Sequence, residues 1–551
     1  MPYHPLISVV MPCYNLEDPN DFSSIRSVLQ QLYPYWELCI ADDASTDPRM
    51  QVALCHYQQL DSRIRVTFRS ENGHISAASN SALALACGEF VALLDQDDLL
   101  SEHALFWVAD AILRHPDAAI IYSDEDKISV HGELHDPYFK CSFNYDLFLS
   151  QNMINHIGVY KRSLLMEIGG FRPGYEGSQD WDLALRCLDK IDETQIIHIP
   201  MILYHWRQHD NSMSLNERSK PYVTSSASKA LQDHLQRRDI QADIIPVPES
   251  SYFRVQYRLP LQLPYVTLII PTRNGHQLLR SCVNSLRFNT TYPNVRILII
   301  DNGSDEAESL SLLNSWSMVP NIQVIRDPAP FNYSALHNRV VPRIESEIIG
   351  LINNDITVIN GDWLHEMVSQ LLRPGVGIVG ARLWFPDDTV QHAGVILGLG
   401  GVAGHAHEGF PRSHRGYFGR LMLTQSLSAV TAATLLVRKE TYLQVGGLNE
   451  QNLAIAFNDV DFCLRVRESG LRIVWTPFAN LYHHQSASRG LEDTPEKQAR
   501  FMREALYIQH KWGNLLLDDP AYSPNLTLDR HDFSLALVPR WQQSVEYHSL
   551  F

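Results

Sequence analysis

The chain of 551 residues has no cysteines at metal-ligand spacing. Its eight cysteines lie scattered from Cys13 to Cys463 without a CxxC. That gives a zinc module or a disulfide framework no sequence basis. Reduced, mostly buried thiols in a cytoplasmic protein are the expectation. Basic charge is also scarce. The net charge is -17 with an isoelectric point near 5.7, which argues against a broad nucleic-acid surface, since that needs a basic face. No run approaches the roughly 18 apolar residues of a membrane span. The start, MPYHPLISVV, has no basic segment followed by an apolar one, so no signal peptide is expected. No GxGxxG follows the first apolar run, and GxxxxGK[ST] does not occur. A dinucleotide site of Rossmann type and a P-loop are both disfavoured. What remains is a soluble composition, 45% apolar and 19% charged, in a length that supports two to four domains.

The chain repeats itself. ISVVMPCYN returns as VTLIIPTRN, WELCIADDAS as VRILIIDNGS, FVALLDQDD as IIGLINNDI, SQDWDLALR as FNDVDFCLR, and LYHWRQH as LYHHQSA. Pro12 and Asp42 are 30 residues apart, as are Pro271 and Asp301; Asp42 to Asp97 is 55 residues and Asp301 to Asp355 is 54. A period of about 260 residues is the size of a domain, not of a solenoid unit. The residues kept between copies are largely carboxylates and amides, which points to two copies of one site.

Each copy alternates short apolar runs with helical periodicity. Residues 7–11, 38–41, 64–68, 90–94 and 118–122 read as strands, with amphipathic stretches near 22–32, 49–60, 75–87 and 102–114. The second copy has strands at 266–270, 297–300, 322–325, 348–352 and 377–380. Continuous apolar strands alternating with helices mean a mainly parallel sheet flanked by helices. The expected organisation is a first module over 1–215, a helix and proline-bearing linker over 216–262, a second module over 263–510, and a C-terminal extension over 511–551 packed on the second module.

In such sheets ligands lie at the carboxyl ends of strands. Asp42 and Asp43 end the second strand, and Asp95-Gln96-Asp97-Asp98 the fourth. An Asp-x-Asp there can hold a divalent cation that neutralises a diphosphate. Acidic turns at strand ends are common, so DQDD alone is weak; the repeat strengthens it. Asp180 and Asp459 each begin an amphipathic segment. Helix capping explains an aspartate there, but a carboxylate within reach of an acceptor hydroxyl could also take its proton.

The ordered set PxYN, DDAST, ENGxISAASN, LLDQDD and GSQDWDLALR resembles glycosyltransferase family 2, enzymes of the GT-A fold that use nucleotide sugars. PTRN, DNGS, FNYSALHN, NND, FNDVDFCLR and YHHQSASRG resemble it again. The likeness covers about 6–210 and 264–490. It lies nearest bacterial O-antigen and rhamnan glycosyltransferases, and the tandem arrangement resembles bifunctional polymerases of chondroitin type. The resemblance implies two GT-A modules working by inverting displacement with Mn²⁺ or Mg²⁺. Asp43 would meet the nucleotide base, with Pro12 and Tyr14 lining its pocket and Asp42 beside it. Asp95 and Asp97 would form the metal motif, Asp97 as the ligand, and Asp180 would be the catalytic base. Pro271, Asp301, Asp355 and Asp459 match in the second copy. Asn302, Asn353 and Asn458 stand there where acids are usual, which weakens cation binding, since an amide supplies no charge.

His205 and His483 follow the two catalytic candidates by 25 and 24 residues, each within LYH. Either could complete a metal site, with His484 and His209 as alternatives and Arg207 as a diphosphate contact. A lone histidine is ordinarily structural; the repeat is what favours function. QHAGVILGLGGVAGHAH (391–407) occurs only in the second copy. Its three histidines raise zinc, but a glycine-rich mobile donor or acceptor loop is the preferred reading. The resulting expectation is a bifunctional hexosyltransferase-type enzyme extending a bacterial surface glycan. Its donors would be UDP- and dTDP-sugars, and its acceptor a glycan on a lipid carrier at the inner face of the membrane. The rivals are a sugar-nucleotide pyrophosphorylase, which would need a basic glycine-rich loop, and a chain whose second module only binds glycan.

Overall fold

The computed structural model describes residues 3–16, 18, 22–208, 221–484 and 494–541. His209, the ends of the expected first module and extension, residues 216–220 and the end of the YHHQSASRG motif lie outside these. The chain divides at Val255/Gln256 into two units.

The first unit is built on one sheet. Its order is Ile64–Phe68, Trp36–Asp42, Ile7–Cys13, Phe90–Leu93, Gly158–Lys161, Ile120–Ile128, Ile196–Arg207 and Leu99–Leu100, with Leu134–Tyr138 paired to Ile120–Ile128. The first four strands are parallel. Gly158–Lys161 runs antiparallel to both neighbours, so the sheet is mixed where the sequence suggests a mainly parallel one. That strand has only four residues, too few for an alternation to mark it in the sequence.

The second unit repeats the order: Ile322–Arg326, Val295–Asp301, Val266–Thr272, Ile348–Ile352, Thr434–Arg438, Val376–Trp384, Arg472–His483 and Ile356–Val358. Strand alternation is visible in its core. Leu268 and Ile270 enter the layer containing Leu279, Val283 and Met367, while Ile269 enters the opposite layer with Leu336, Leu435 and Trp475. Both faces are covered, which is why the strands read as unbroken apolar runs.

Residues 221–255 belong to the first unit and are not a free linker. The helix Pro221–Arg237 lies against Gln179–Leu188, and Asp189 pairs with Arg237 and Arg238 at 2.5 and 3.0 Å. In the second unit the helix Pro495–Leu517 runs through the expected boundary at 511. Beyond it, Asp519 accepts from the backbone N–H of Leu397 and from Ser428, so the extension is fastened to its module by buried polar contacts.

Asp461, with a fully buried carboxylate, pairs with Arg465 at 2.8 Å and Lys511 at 2.7 Å and accepts from Trp512 Nε1 at 3.0 Å. Removing one member of a buried ion cluster strands the others. Asp461→Ala is expected to destabilise the second unit by about 3 kcal/mol, read as a lower denaturant midpoint at unchanged slope. A loss below about 1 kcal/mol would place this cluster with weak surface pairs.

Candidate active sites

In the first unit the strand Ile7–Cys13 ends beside the acidic turn after Phe90–Leu93. Gln96 joins them, accepting from Tyr14 N at 2.9 Å and donating to Tyr14 O at 3.2 Å. Asp42 holds the following turn through Ser45 N at 3.1 Å. Asp43 is buried and takes Arg69 Nε at 2.7 Å and Gly73 N at 3.0 Å.

A cavity beside this turn is lined by Pro12, Asp95, His156, Gln179 and Asp180. Asp180 stands in the first turn of Gln179–Leu188. It accepts from Trp181 N at 2.8 Å and from Asn152 Nδ2 at 3.4 Å. Burial raises its pKa, as it does that of Asp95, which burial and the neighbouring Asp97 push to about 6. Both remain chemically available carboxylates at the wall of a cavity. Asp182, two residues on, is instead fully buried between Arg172 and Arg186 and is structural.

His205 offers Nδ1 to Asp126 Oδ1 at 2.5 Å. That contact leaves Nε2 as the nitrogen for any further ligand, the arrangement common for metal-binding histidines. Its strand pairs with Leu99, two residues past Asp97, so the acidic turn and His205 share one edge. Arg207 backs the same turn, donating to Asp97 O at 2.8 Å and Ser23 Oγ at 3.2 Å; these contacts make it a support for the motif.

Sequence reasoning missed a second layer. Asp95, Asp98 and His156 present ligand-type atoms within 4.8 Å of one another. Asp98 is buried, accepting from Tyr204 OH at 2.6 Å and Arg207 N at 2.7 Å. His156 stacks on Tyr204 and meets Glu125 at 2.9 Å. Burial opposes its charged form, but Glu125 and the two aspartates lift its pKa to about 9. The run SDED inside a strand that begins and ends apolar was the available signal: Asp124, Glu125 and Asp126 each find a histidine there. Five residues before Arg438, where the second unit matches His156, stands Ala433.

The second unit brings together the remaining expected residues. Asp301 accepts from Ser304 N at 2.8 Å and pairs with Arg326 at 3.2 Å. Its strand lies in register with the one carrying Pro271. Asn302 donates to Asp327 O and Ala329 O at 2.8 and 2.7 Å, the reverse polarity of Asp43. Asn353 Nδ2 lies 3.3 Å from His483 Nε2, and Asp355 Oδ1 3.2 Å from the same nitrogen. Among the described residues, buried Asp355 Oδ1 and His483 Nδ1 have no hydrogen-bond partner. A carboxylate and an imidazole converging with an unsatisfied oxygen suit a divalent cation. His484 turns its ring to Thr357 at 3.3 Å and meets Asp355 only through its backbone N–H, at 3.0 Å from the Asp355 carbonyl.

Asp459 stands in the first turn of Asn458–Glu468, accepting from Ala432 N at 3.1 Å and Val460 N at 2.9 Å. Burial raises its pKa also. Phe457, just before the helix, is held at φ 57°, an uncommon conformation for a bulky residue and one that clusters at functional sites. The 391–407 segment is not a mobile loop. It forms strands Val390–His392, Val395–Leu397 and Ala403–His405, with Val390–Leu397 buried. Its apolar residues at alternate spacing pack on the core that holds Trp384 and Leu427.

Residues 8–169 and 267–436 each match the sequence profile described as Glycosyl transferase family 2. The chain belongs to that family. The modules are two tandem GT-A units, as their shared strand order shows. An uncharacterized protein of Sinorhizobium fredii, y4gI, is 49% identical over 98% of this chain and 59% of its own. The O-antigen biosynthesis protein RfbC of Myxococcus xanthus is 36% identical over 97% of this chain and 41% of its own. Chondroitin synthase of Escherichia coli is 27% identical over 39% and 30% respectively. The chain thus spans about half the length of the first two relatives. A solved mannosyltransferase from Pyrobaculum calidifontis, in complex with GDP-Man and Mn²⁺, overlaps 59% of the chain and 88% of its own at 15% identity and a TM-score of 0.32.

Proposed function

We propose that this family 2 glycosyltransferase is bifunctional, with two sites that build a bacterial surface polysaccharide of O-antigen type. The observation that carries this is the recurrence of one arrangement: a half-buried aspartate in the first turn of a helix, Asp180 and Asp459, in units where strand-end aspartates also meet a histidine, Asp95 and Asp98 with His156 and Asp355 with His483. Each aspartate removes the proton from an acceptor hydroxyl as that oxygen attacks the anomeric carbon. A single displacement inverts the configuration and expels the nucleoside diphosphate. Asp97 with His205, and Asp355 with His483, would hold Mn²⁺ or Mg²⁺. The cation, when bound, neutralises the departing diphosphate. No helix among the described residues is long and apolar enough to cross a membrane; a lipid-linked acceptor would be met at the inner face of the membrane. Mass analysis of products from UDP-, GDP- and dTDP-sugars tests the assignment. Donor hydrolysis without a glycan product, with every acceptor offered, would defeat it.

The two donors are expected to differ. Asp43 accepts where Asn302 donates, so the base and ribose pockets are framed with opposite polarity. The first module suits a uridine donor and the second a deoxythymidine donor such as an activated rhamnose. Calorimetric titration of the full chain with UDP and with dTDP should reveal one site for each. Equal binding of one nucleotide at both sites would replace this picture with a single-donor polymerase.

A second reading, an active first module beside a glycan-binding second one, is favoured by one observation. The strand Val376–Trp384 carries no acid where Ile120–Ile128 carries three.

A further inference from the structure

A histidine pair of the second module lies outside every role assigned so far. His392 is fully buried, and its Nδ1 lies 2.8 Å from Nδ1 of His405. Thr431 N–H lies 3.4 Å from His392 Nε2. A backbone N–H can only donate, so His392 Nε2 is an acceptor and its proton sits on Nδ1. That proton is donated to His405 Nδ1, which leaves the proton of His405 on Nε2. These two bonds leave one proton on each ring, so both rings are neutral and the polarity of the chain is fixed. No described residue takes up His405 Nε2, and the residue is only half-buried.

The pair is attached to the catalytic backbone. Val395, the register partner of His405, bonds through its N–H to Ala429 O at 3.0 Å. From Ala429 the chain runs directly to Thr431, whose hydroxyl bonds Asp459, and to Ala432, whose N–H also bonds Asp459. Pro271, Asp301 and Asn302, the nucleotide side, belong to other strands, nearer the opposite end of the sheet.

We propose that His405 is an acceptor-binding residue of the second module, donating its Nε2–H to an oxygen of an uncharged sugar, with His392 as the positioning residue that fixes the tautomer. The inference rests on the transferase reading of that module. A neutral N–H suits a hydroxyl or ring oxygen, whereas a phosphate or carboxylate is held best by a charged donor. In the first module Leu134–Tyr138 pairs with Ile120–Ile128 as Val390–His392 pairs with Val376–Trp384, but among the described residues nothing there matches the pair Val395–Leu397 and Ala403–His405, so that module must recognise its acceptor by other means.

The test uses the full chain, a panel of p-nitrophenyl glycosides as acceptors, and the transfer that is lost in Asp459→Asn. His405→Phe should raise the acceptor KM roughly tenfold, the value of one neutral hydrogen bond to a substrate hydroxyl, and leave the donor KM unchanged. His405→Gln keeps an N–H donor and should recover to within about threefold. His392→Phe, which frees the tautomer, should fall between them. Unfolding midpoints equal to wild type show that a variant has kept its fold. A raised donor KM with acceptor KM unchanged, or Gln as impaired as Phe, overturns the inference alone. Absence of any Asp459-dependent transfer in the wild type overturns the transferase reading and the inference with it.

Discussion

Asp180→Asn should reduce transfer at the first site by roughly 10²–10⁴-fold, the range for loss of a general base, and leave transfer at the second site intact. Asp459→Asn should do the reverse. Both carboxylates stand in the first turn of their helices, each held by the N–H of the following residue. An amide keeps nearly the same shape, so the loss is one of chemistry. The pH dependence follows from the raised pKa of each group. The base works only when ionised. Each activity should therefore fall as pH drops through a value above the ordinary ~4 of an aspartate, and that limb should vanish in the Asn variant. Rates measured with independently supplied acceptors decide the matter. Loss of both activities from either single substitution would mean one composite site.

Cation dependence should be lost with Asp97 in the first module and with Asp355 in the second. Either residue replaced by alanine should lower its own module's transfer by roughly 100-fold or more, since a Lewis acid on the leaving group contributes several kcal/mol. The second module should need more Mn²⁺ for half-maximal rate, because Asn353 stands beside Asp355 and His483 where the first has Asp95. Manganese electron-spin resonance gives the binding without recourse to activity. A full Mn²⁺-dependent rate in Asp97→Ala would remove that residue from the site.

The parallel half of each sheet was legible because strands covered on both faces become apolar runs, as in ISVV and TLII. The carboxylates at their ends were legible through repetition. Gly158–Lys161 and Thr434–Arg438 were not, because a short antiparallel strand between two partners has no periodicity of its own. Nor were Glu125, Asp98 and His156, whose meeting depends on tertiary pairing across three strands. His484 and His483 were equivalent on paper; the two-residue pleat of Arg472–His483 sends one to Asp355 and its neighbour to Thr357. The glycines of 391–407 suggested freedom, yet Gly394 and Gly398 are places where a Cβ would strike Leu427 or the Leu516 carbonyl. They mark close packing.

The helix after each site has a bearing on how such chains can be recombined. In the first module Asp233 reaches Arg172, which holds Asp182. In the second, Lys511 and Trp512 hold Asp461 directly, and Glu504 takes the backbone N–H groups of Ile455 and Ala456. The chemistry is reversed in sign between the two helices. The structural unit around each aspartate is therefore longer than the matched motifs. A chimera that exchanges one module for that of a relative must carry its trailing helix across the junction, or the transplanted aspartate arrives without the scaffold that aims it.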